Sequence, residues 1–379
     1  MDKYFQTIII GGGPGGLIAG SYLEDALIIE QKKEIGKPIQ CIGISTKALE
    51  RQGLKPDRFW AKSIINKIER VMPNGKILGR VKEPFAYIVE KRSFEKFLSK
   101  DIKAKLMLNQ KVSDLFFKND RWNVKTKSGE FFQSKYVIAA DGFDSVVRKT
   151  LFPEFEGGID LSFGLEYVLE FSKKIDPRII RMYFDNKFFK NGYGWIFPTS
   201  DLSANVGVGG SDNNLSKLMD EFLDRKIIND YGKFRLLNKS FGVTASRKNN
   251  FPFFKSNVFL VGDAAGFNDP LFKAGTNQAM ISARLAAECI INNKVNDYNK
   301  KISSLPFAKQ ISKKNSDIFY SLDNEILEAL GDMLEGRGFS YLNRPNYLAK
   351  LFTNKTTRKD IIKLLYFFII WNRNKKWLW

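Results

Sequence analysis

The sequence contains no histidine. That removes the commonest general base, the Ser-His-Asp arrangement and imidazole metal ligands. Cysteine is scarce, with Cys41 and Cys289 the only two. Two separated thiols make neither a zinc site nor a disulfide framework, and they predict a reducing compartment. Long apolar runs are missing too. The richest, residues 361–371, spans 11 residues, about half of what a bilayer crossing needs. A strand-like run begins within a few residues of Met1, which predicts no signal peptide. The body lacks a long Lys/Arg tract and any nucleic-acid fold signature, so nucleic acid is not an expected partner. Chemistry without histidine, with little cysteine and no evident metal site, points to a cofactor that carries the reaction.

The chain has 379 residues, of which 44% are hydrophobic, enough core for two or three domains. The net charge of +20 favours anionic partners such as nucleotide phosphates or an acidic membrane face. The strongest signal is Gln6-Thr7-Ile8-Ile9-Ile10-Gly11-Gly12-Gly13-Pro14-Gly15-Gly16, a β-branched run that stops in glycines. Gly11, Gly13 and Gly16 fit G-x-G-x-x-G, and the stretch Leu17 to Leu23 reads as a helix. Such a turn bends out of the strand at the first glycine, lets backbone approach a pyrophosphate at the second and packs helix on strand at the third. A second strand, Ala26 to Ile29, ends in Glu30, 19 positions after Gly11, as expected for a carboxylate on ribose hydroxyls. This context predicts a dinucleotide site on Gly11, Gly13, Pro14, Gly15, Gly16, Glu30 and Gln31.

Residues 31–45 read as a loop punctuated by Gly and Pro. Residues 64–82 read as a hairpin around Asn74-Gly75, and residues 93–104 as a helix capped by Ser93. Residues 111–140 read as a small sheet whose last strand, ending at Asp141-Gly142, extends the nucleotide-binding sheet. The runs 161–171, 179–184, 193–197 and 202–208 predict a mostly antiparallel sheet, followed by a helix near 214–224. A buried strand, Asn257 to Val261, then leads into Gly262-Asp263-Ala264-Ala265-Gly266 and a long helix over 276–291. The second domain is thus an insertion in the first. Beyond residue 292 the pattern is helical, and the aromatic, basic segment near the C-terminus suits either a lipid interface or a helix docked on the core.

Three stretches carry a closer resemblance. Glu34 to Cys41 resembles a loop that places a cysteine near a flavin. Tyr193-Gly194-Trp195-Ile196-Phe197-Pro198 matches Y-x-W-x-F-P, and Asp269 to Met280 resembles P-L-x-x-x-G-x-x-x-A-M. With the opening glycines and Gly262 to Gly266, they are similar to the geranylgeranyl reductase family of FAD-dependent oxidoreductases, which share the p-hydroxybenzoate hydroxylase fold. The similarity runs from residue 4 to about 300.

The resemblance implies an α/β protein: a Rossmann-like FAD-binding domain, an inserted, mostly antiparallel β-sheet substrate domain and a helical C-terminal region. The expected boundaries are 1–62, 91–157 and 251–300 for the FAD-binding domain, 63–90 and 158–250 for the substrate domain, and 301–379 for the helical region. Arg92, Asp141, Gly262, Asp263, Pro270, Lys273, Ala274, Gly275 and Thr276 then join the cofactor site. Tyr193, Trp195 and Phe197 line the prenyl site, and Cys41 lies by the flavin as the first choice of proton donor or substrate-facing residue. Two departures stand out. The acidic residue follows the glycines sooner than is usual for this fold, and Phe272-Lys273-Ala274 replaces glycines. Lys273 either stabilises a reduced, anionic flavin or points to solvent.

The implied reaction is saturation of C=C bonds in a geranylgeranyl chain, carried by a prenylated lipid or a prenyl diphosphate. The electron donor is NADPH or a ferredoxin-like protein. The expected location is cytoplasmic, with peripheral attachment to the anionic inner face of the cell membrane. The alternatives are a flavin-dependent monooxygenase or halogenase of the same fold and a non-catalytic membrane-associated flavoprotein.

Overall fold

A computed structural model describes residues 4–36, 41–79, 84–212, 214–249, 251–339, 341 and 362–369. The chain divides into two compact units, one built from residues 1–39, 91–161 and 244–310, the other from 40–90, 162–243 and 311–379.

The first unit is organised by a sheet whose strand order is Phe254–Lys255, Val258–Leu260, Phe131–Ala139, Tyr4–Ile10, Ala26–Ile29 and Lys105–Met107. All neighbours are parallel except the first pair. Ile8, Ile9, Leu27, Ile28, Val137 and Ile138 are at most 2% exposed, as expected where helices cover both faces of a parallel sheet. The hairpin Val112–Lys118 and Arg121–Thr126 pairs antiparallel onto Phe131–Ala139, so that strand does extend the nucleotide-binding sheet. Helix Pro14–Tyr22 packs against helix Thr276–Ile291. Their closeness depends on small residues, since a Cβ on Gly15 would stand 3.4 Å from the Ala279 carbonyl oxygen. The helix expected at Ser93 starts two residues earlier, as Lys91–Leu98 followed by a 3₁₀ turn, so Ser93 sits inside it and is buried.

The second unit holds a seven-stranded sheet in the order Phe234–Arg247, Ile159–Phe171, Ser203–Gly210, Tyr193–Pro198, Ile179–Tyr183, Lys67–Val71 and Ile77–Leu78. From Ile159–Phe171 to Ile77–Leu78 the pairs are antiparallel apart from one parallel pair, Ile179–Tyr183 with Lys67–Val71. One face is closed by helix Leu215–Phe222 and its continuation. Ile196, Val206 and Val208 meet Leu218, Met219 and Phe222 there. Asn214 caps that helix, accepting from the Lys217 amide at 3.3 Å. A smaller sheet orders Cys41–Ser45, Ala86–Glu90 and Ala61–Ile65. Residues 41–45 are therefore strand rather than loop. Their partner lies more than forty positions away, which local punctuation does not reveal.

Near the C-terminus, residues 362–369 are helical. Leu364, Phe367 and Phe368 are buried, with the Phe367 ring 5.2 Å from Phe319 and 6.0 Å from Phe339. Ile362, Tyr366 and Ile369, spaced i, i+4 and i+7, are exposed. This segment is thus docked on its own unit and still presents an apolar stripe. Among the described residues no helix is long and apolar enough to cross a membrane.

Candidate active site

The first unit gathers the expected nucleotide residues around the end of strand Tyr4–Ile10. Gly11 has φ +104°, and a Cβ there would stand 2.3 Å from the Ala140 carbonyl oxygen. A Cβ on Gly16 would lie 1.9 Å from the Gly11 oxygen, so strand and helix meet backbone to backbone. Gly13 differs. Its φ is −80°, and nothing of the protein lies within 4 Å of an added Cβ. The fold therefore imposes no packing need for glycine at 13, and the space suits a ligand that must touch backbone. Gly13 also precedes the free amides of helix Pro14–Tyr22, which has Pro14 at its start and no acidic residue in its first turn.

Glu30 is 6% exposed and ties this turn together. Its Oε2 accepts from the Gly12 amide at 2.6 Å and its Oε1 from the Lys32 amide at 2.8 Å. Each carboxylate oxygen keeps a lone pair for a hydroxyl. Gln31 is exposed beside it. Arg92, in the first turn of helix Lys91–Leu98, donates to Glu34 Oε2 at 2.9 Å. Gly36 passes so close beneath it that a Cβ would stand 2.6 Å from the Arg92 Cα.

The other half of the site is the turn Gly262–Gly266 and the start of helix Thr276–Ile291. Asp141 accepts from the Val147 amide at 3.4 Å, and burial pushes its carboxyl up. Gly262, with φ +54°, donates its amide to Ser282 Oγ at 3.1 Å. Loss of hydration pushes the Asp263 carboxyl up to about 7, against a bond from the Ala245 amide and the charge of Arg148. Asp269, similarly dehydrated, is pushed up to about 6. Its Oδ1 accepts from the amides of Leu271 at 3.1 Å and Phe272 at 2.6 Å, which shapes the turn at Pro270. Lys273, Ala274, Gly275 and Thr276 form a half-exposed run between buried neighbours. Lys273 has φ +56°, and its ammonium folds back onto the Pro270 carbonyl at 2.5 Å, so it serves its own turn rather than solvent.

Four residues join the site that the sequence reading did not single out. Arg148, 3% exposed, donates to the carbonyls of Phe143 at 2.7 Å and Ala264 at 3.2 Å, pinning the Asp141 loop to the Gly262 turn. Its signal was the Ser145 cap three positions earlier, which accepts from the Arg148 amide. Asn268 and Asn277 are 3% and 6% exposed, and neither amide group has a partner among the described residues. An unpaired buried amide costs about 1–3 kcal/mol, so a polar ligand is expected against both. A Cβ on Gly275 would stand 2.9 Å from Asn268 Nδ2 and 3.0 Å from Asp263 Oδ1, which places the three groups together. Asn277 lies in the first turn of a sixteen-residue helix with no side-chain cap, whose amides attract partial negative charge. Glu34 is the fourth, as the partner of Arg92. The open space at Gly13, the orphaned amides and the uncapped helix fit a flavin dinucleotide.

A pH test follows. The folded chain holds Asp263 near 7, above its ordinary 3.8. A raised acid favours folding most below its ordinary value, and that contribution is lost as pH rises through about 7. Flavin-free protein should therefore lose thermal stability between roughly pH 4 and 7, and Asp263→Asn should flatten the slope, leaving a smaller part from Asp269. An identical slope in the variant would exclude Asp263 as its source.

The second unit contributes a different surface. Alternation along Tyr193–Pro198 puts Tyr193, Trp195 and Phe197 on the sheet face opposite the helix-covered one. Their ring centroids are 5.7 and 6.2 Å apart in sequence order. Trp195 is half-buried and lies across glycines. A Cβ on Gly207 would be 2.1 Å from its indole, on Gly209 3.2 Å and on Gly164 3.4 Å. The register aligns Arg70, Met182, Trp195, Gly207 and Glu166 in one cross-strand row. Cys41 begins strand Cys41–Ser45 opposite Glu90. Its side chain lies outside the described residues, as do residues 37–40 of the loop that leads to it.

Comparison with known proteins places these features. A sequence model of the geranylgeranyl reductase catalytic domain matches residues 160–243, the part that carries Tyr193, Trp195 and Phe197. A digeranylgeranylglycerophospholipid reductase 1 from Methanopyrus kandleri is 30% identical over 306 residues, covering 76% of this chain and 80% of its own. The chain belongs to the geranylgeranyl reductase family. A digeranylgeranylglycerophospholipid reductase from Methanocaldococcus jannaschii is 29% identical, with 89% of this chain and 93% of its own covered. The crystal structure of a geranylgeranyl bacteriochlorophyll reductase-like protein from Thermoplasma acidophilum superposes with a TM-score of 0.79 at 22% identity, covering 99% of this chain and all of that one. The fold is thus the flavoprotein fold expected from the sequence, and the family makes this protein a flavin-dependent oxidoreductase.

Proposed function

We propose that the protein is an FAD-dependent reductase that saturates C=C bonds of a geranylgeranyl chain carried by a membrane lipid. The observation that carries this reading is the Trp195 indole laid flat over Gly164, Gly207 and Gly209, an apolar aromatic floor within the segment matched by the catalytic-domain model. A flexible apolar chain gains most from such a surface, which offers aromatic area to bury against. The two archaeal relatives named for reduction of a digeranylgeranylglycerophospholipid support the lipid over a free prenyl diphosphate.

In this reading Gly11, Gly13, Gly16 and Glu30 hold the adenosine end of FAD, and Arg92 its middle. Asp263 meets a ribityl hydroxyl or the neighbouring phosphate region, and Asn268, Asn277 and the amides at Gly275 and Thr276 receive the polar edge of the ring. FAD, when bound and reduced, supplies a hydride. An isolated alkene has no carbonyl to carry charge, so positioning and exclusion of water matter more than usual. Tyr193, Trp195 and Phe197 supply both. Cys41 Sγ gives a proton to the second alkene carbon, so that a hydride and a proton together account for the two hydrogens added. The electrons come from NADPH or a ferredoxin-like donor. The exposed stripe of Ile362, Tyr366 and Ile369, with the net charge of +20, supports a cytoplasmic protein held peripherally on an anionic membrane face.

The test is anaerobic. Flavin on the purified protein is reduced with dithionite, geranylgeranylated glycerophospholipid is added, and reoxidation is followed with mass analysis of the chain. Reoxidation with hydrogen added across double bonds is the expected outcome. Reoxidation only after oxygen is admitted, with hydroxylated or halogenated product, would replace this reading by the oxygen-using one. Cys41→Ala should keep FAD bound and lower turnover by about 10²–10⁴-fold, the usual contribution of a positioned acid. Unchanged turnover would remove Cys41 from the mechanism.

A further inference from the structure

The glycine floor under Trp195 raises a physical problem. Gly164, Gly207 and Gly209 offer the indole a flat surface and no side walls. Tyr193 and Phe197 flank the ring with centroids 5.7 and 6.2 Å away, so its one polar atom is the remaining point at which its direction can be set. The indole Nε1–H is a donor only, so it needs an acceptor. Glu166 provides it. Trp195 Nε1 donates to Glu166 Oε2 at 3.2 Å, and Glu166 is 7% exposed. The register places Glu166 directly across Gly207, in the row that crosses the ring.

Glu166 is itself oriented. Asn205 Nδ2 donates to Glu166 Oε1 at 2.7 Å, and Asn205 is 1% exposed. The Asn205 Oδ1 is buried without a partner among the described residues. A buried acid and a buried amide are costly to keep on an apolar sheet face unless they are satisfied. The other face of the same strands does without them, using Leu169, Val206 and Val208. On these two strands the polar pair sits on the face that carries the indole.

We propose that Glu166, held by Asn205, is a positioning residue that sets the plane and direction of the Trp195 indole, and so determines how far reduction proceeds along the prenyl chain. This rests on the reading of the Trp195 face as the prenyl site. A chain bearing several double bonds must be advanced in steps past one reacting position. A fixed ring gives each step the same seat. A loose ring still admits the chain but holds its later positions poorly, so partly reduced products leave.

The experiment uses the full-length, FAD-loaded protein. The first readout needs no substrate: the near-ultraviolet circular dichroism of Trp195, isolated by subtraction of a Trp195→Phe spectrum. The second is the mass distribution of product from a geranylgeranylated glycerophospholipid after anaerobic reduction with dithionite. In Glu166→Leu the Trp195 band should collapse and the ratio of fully to partly saturated chains should fall at least tenfold, with KM for the lipid rising more than kcat falls. Asn205→Asp sets two acids against each other and should do the same. The exchange E166Q/N205D restores the pairing, because the Gln amide then donates to the Asp carboxylate while its oxygen accepts from the indole. It should recover both the band and the product ratio. This rescue keeps the test decisive if Glu166→Leu does not fold, since loss of packing alone would not be repaired by an exchange of acid and amide. An unchanged band or product ratio in Glu166→Leu, or no recovery in the exchange, overturns the proposal while the wild type stays active. A wild-type protein that saturates no double bond overturns the functional reading and this proposal with it.

Discussion

Gly207→Ala is expected to lower turnover about a hundredfold while leaving FAD bound. The methyl group would stand 2.1 Å from Cε2 and Cζ2 of Trp195, far inside van der Waals contact. The strand cannot retreat. Gly207 is paired with Trp195 on one side and with Glu166 on the other, so its backbone is fixed in mid-sheet. The ring has to lift. It then loses its seat over Gly164 and Gly209 and the line of its bond to Glu166. Overpacking of this kind costs about 1–3 kcal/mol of stability. Displacement of a positioning group by an ångström or so costs on the order of a hundredfold in rate. Flavin content, melting temperature and the rate of anaerobic reoxidation by geranylgeranylated lipid separate these effects. A variant that keeps the wild-type rate would mean the chain does not lie on the indole. Gly209→Ala, whose methyl would meet the ring at 3.2 Å, should show the same change at smaller size.

The second large effect is expected at Gly13, with the opposite division between fold and ligand. Gly13 has an ordinary negative φ and no protein atom within 4 Å of an added Cβ. Gly13→Ala should therefore leave the unfolding free energy of the flavin-free protein within about 0.5 kcal/mol of wild type. The same methyl group occupies the space through which backbone reaches a pyrophosphate. FAD affinity should fall about a hundredfold, some 2.7 kcal/mol, measured by flavin fluorescence titration. Gly16→Ala is the control that behaves otherwise. Its methyl would lie 1.9 Å from the Gly11 carbonyl oxygen, so the flavin-free protein itself should be destabilised. If Gly13→Ala binds FAD as wild type does, the pyrophosphate does not rest on this turn.

The contrast between these glycines shows what the sequence makes legible. A tight turn, a helix start and a buried parallel strand are local or periodic demands, and they are visible in order along the chain. The strand at Tyr4–Ile10, the helix at Thr276–Ile291 and the four runs of the antiparallel sheet were readable for that reason. Strand Cys41–Ser45 was not, because only its pairing with Ala86–Glu90 makes it a strand. Glu166 and Asn205 were hidden differently. Each is one of several polar residues in a mostly apolar strand, the two are separated by 39 positions, and their meaning arises only when the register brings them to one indole. Asn268 and Asn277 stood in plain view beside Asp263 and Gly275. What marks them is the absence of partners after burial, which a sequence does not record.

The interleaving of the two units sets an order in time. The sheet that starts with Tyr4–Ile10 takes strand Val258–Leu260 as a late member, and helix Pro14–Tyr22 packs on helix Thr276–Ile291. A ribosome must therefore add some 250 residues before the sheet is complete and the helix after the glycine turn gains its lasting partner. Contacts so distant in sequence form slowly and leave early segments exposed while they wait. The inserted sheet, by contrast, has its long strands within residues 159–247 and can close sooner, although it also recruits Lys67–Val71. In a growing chain the Trp195 surface would thus be assembled before the nucleotide cradle, and flavin would be captured as one of the last events of biogenesis.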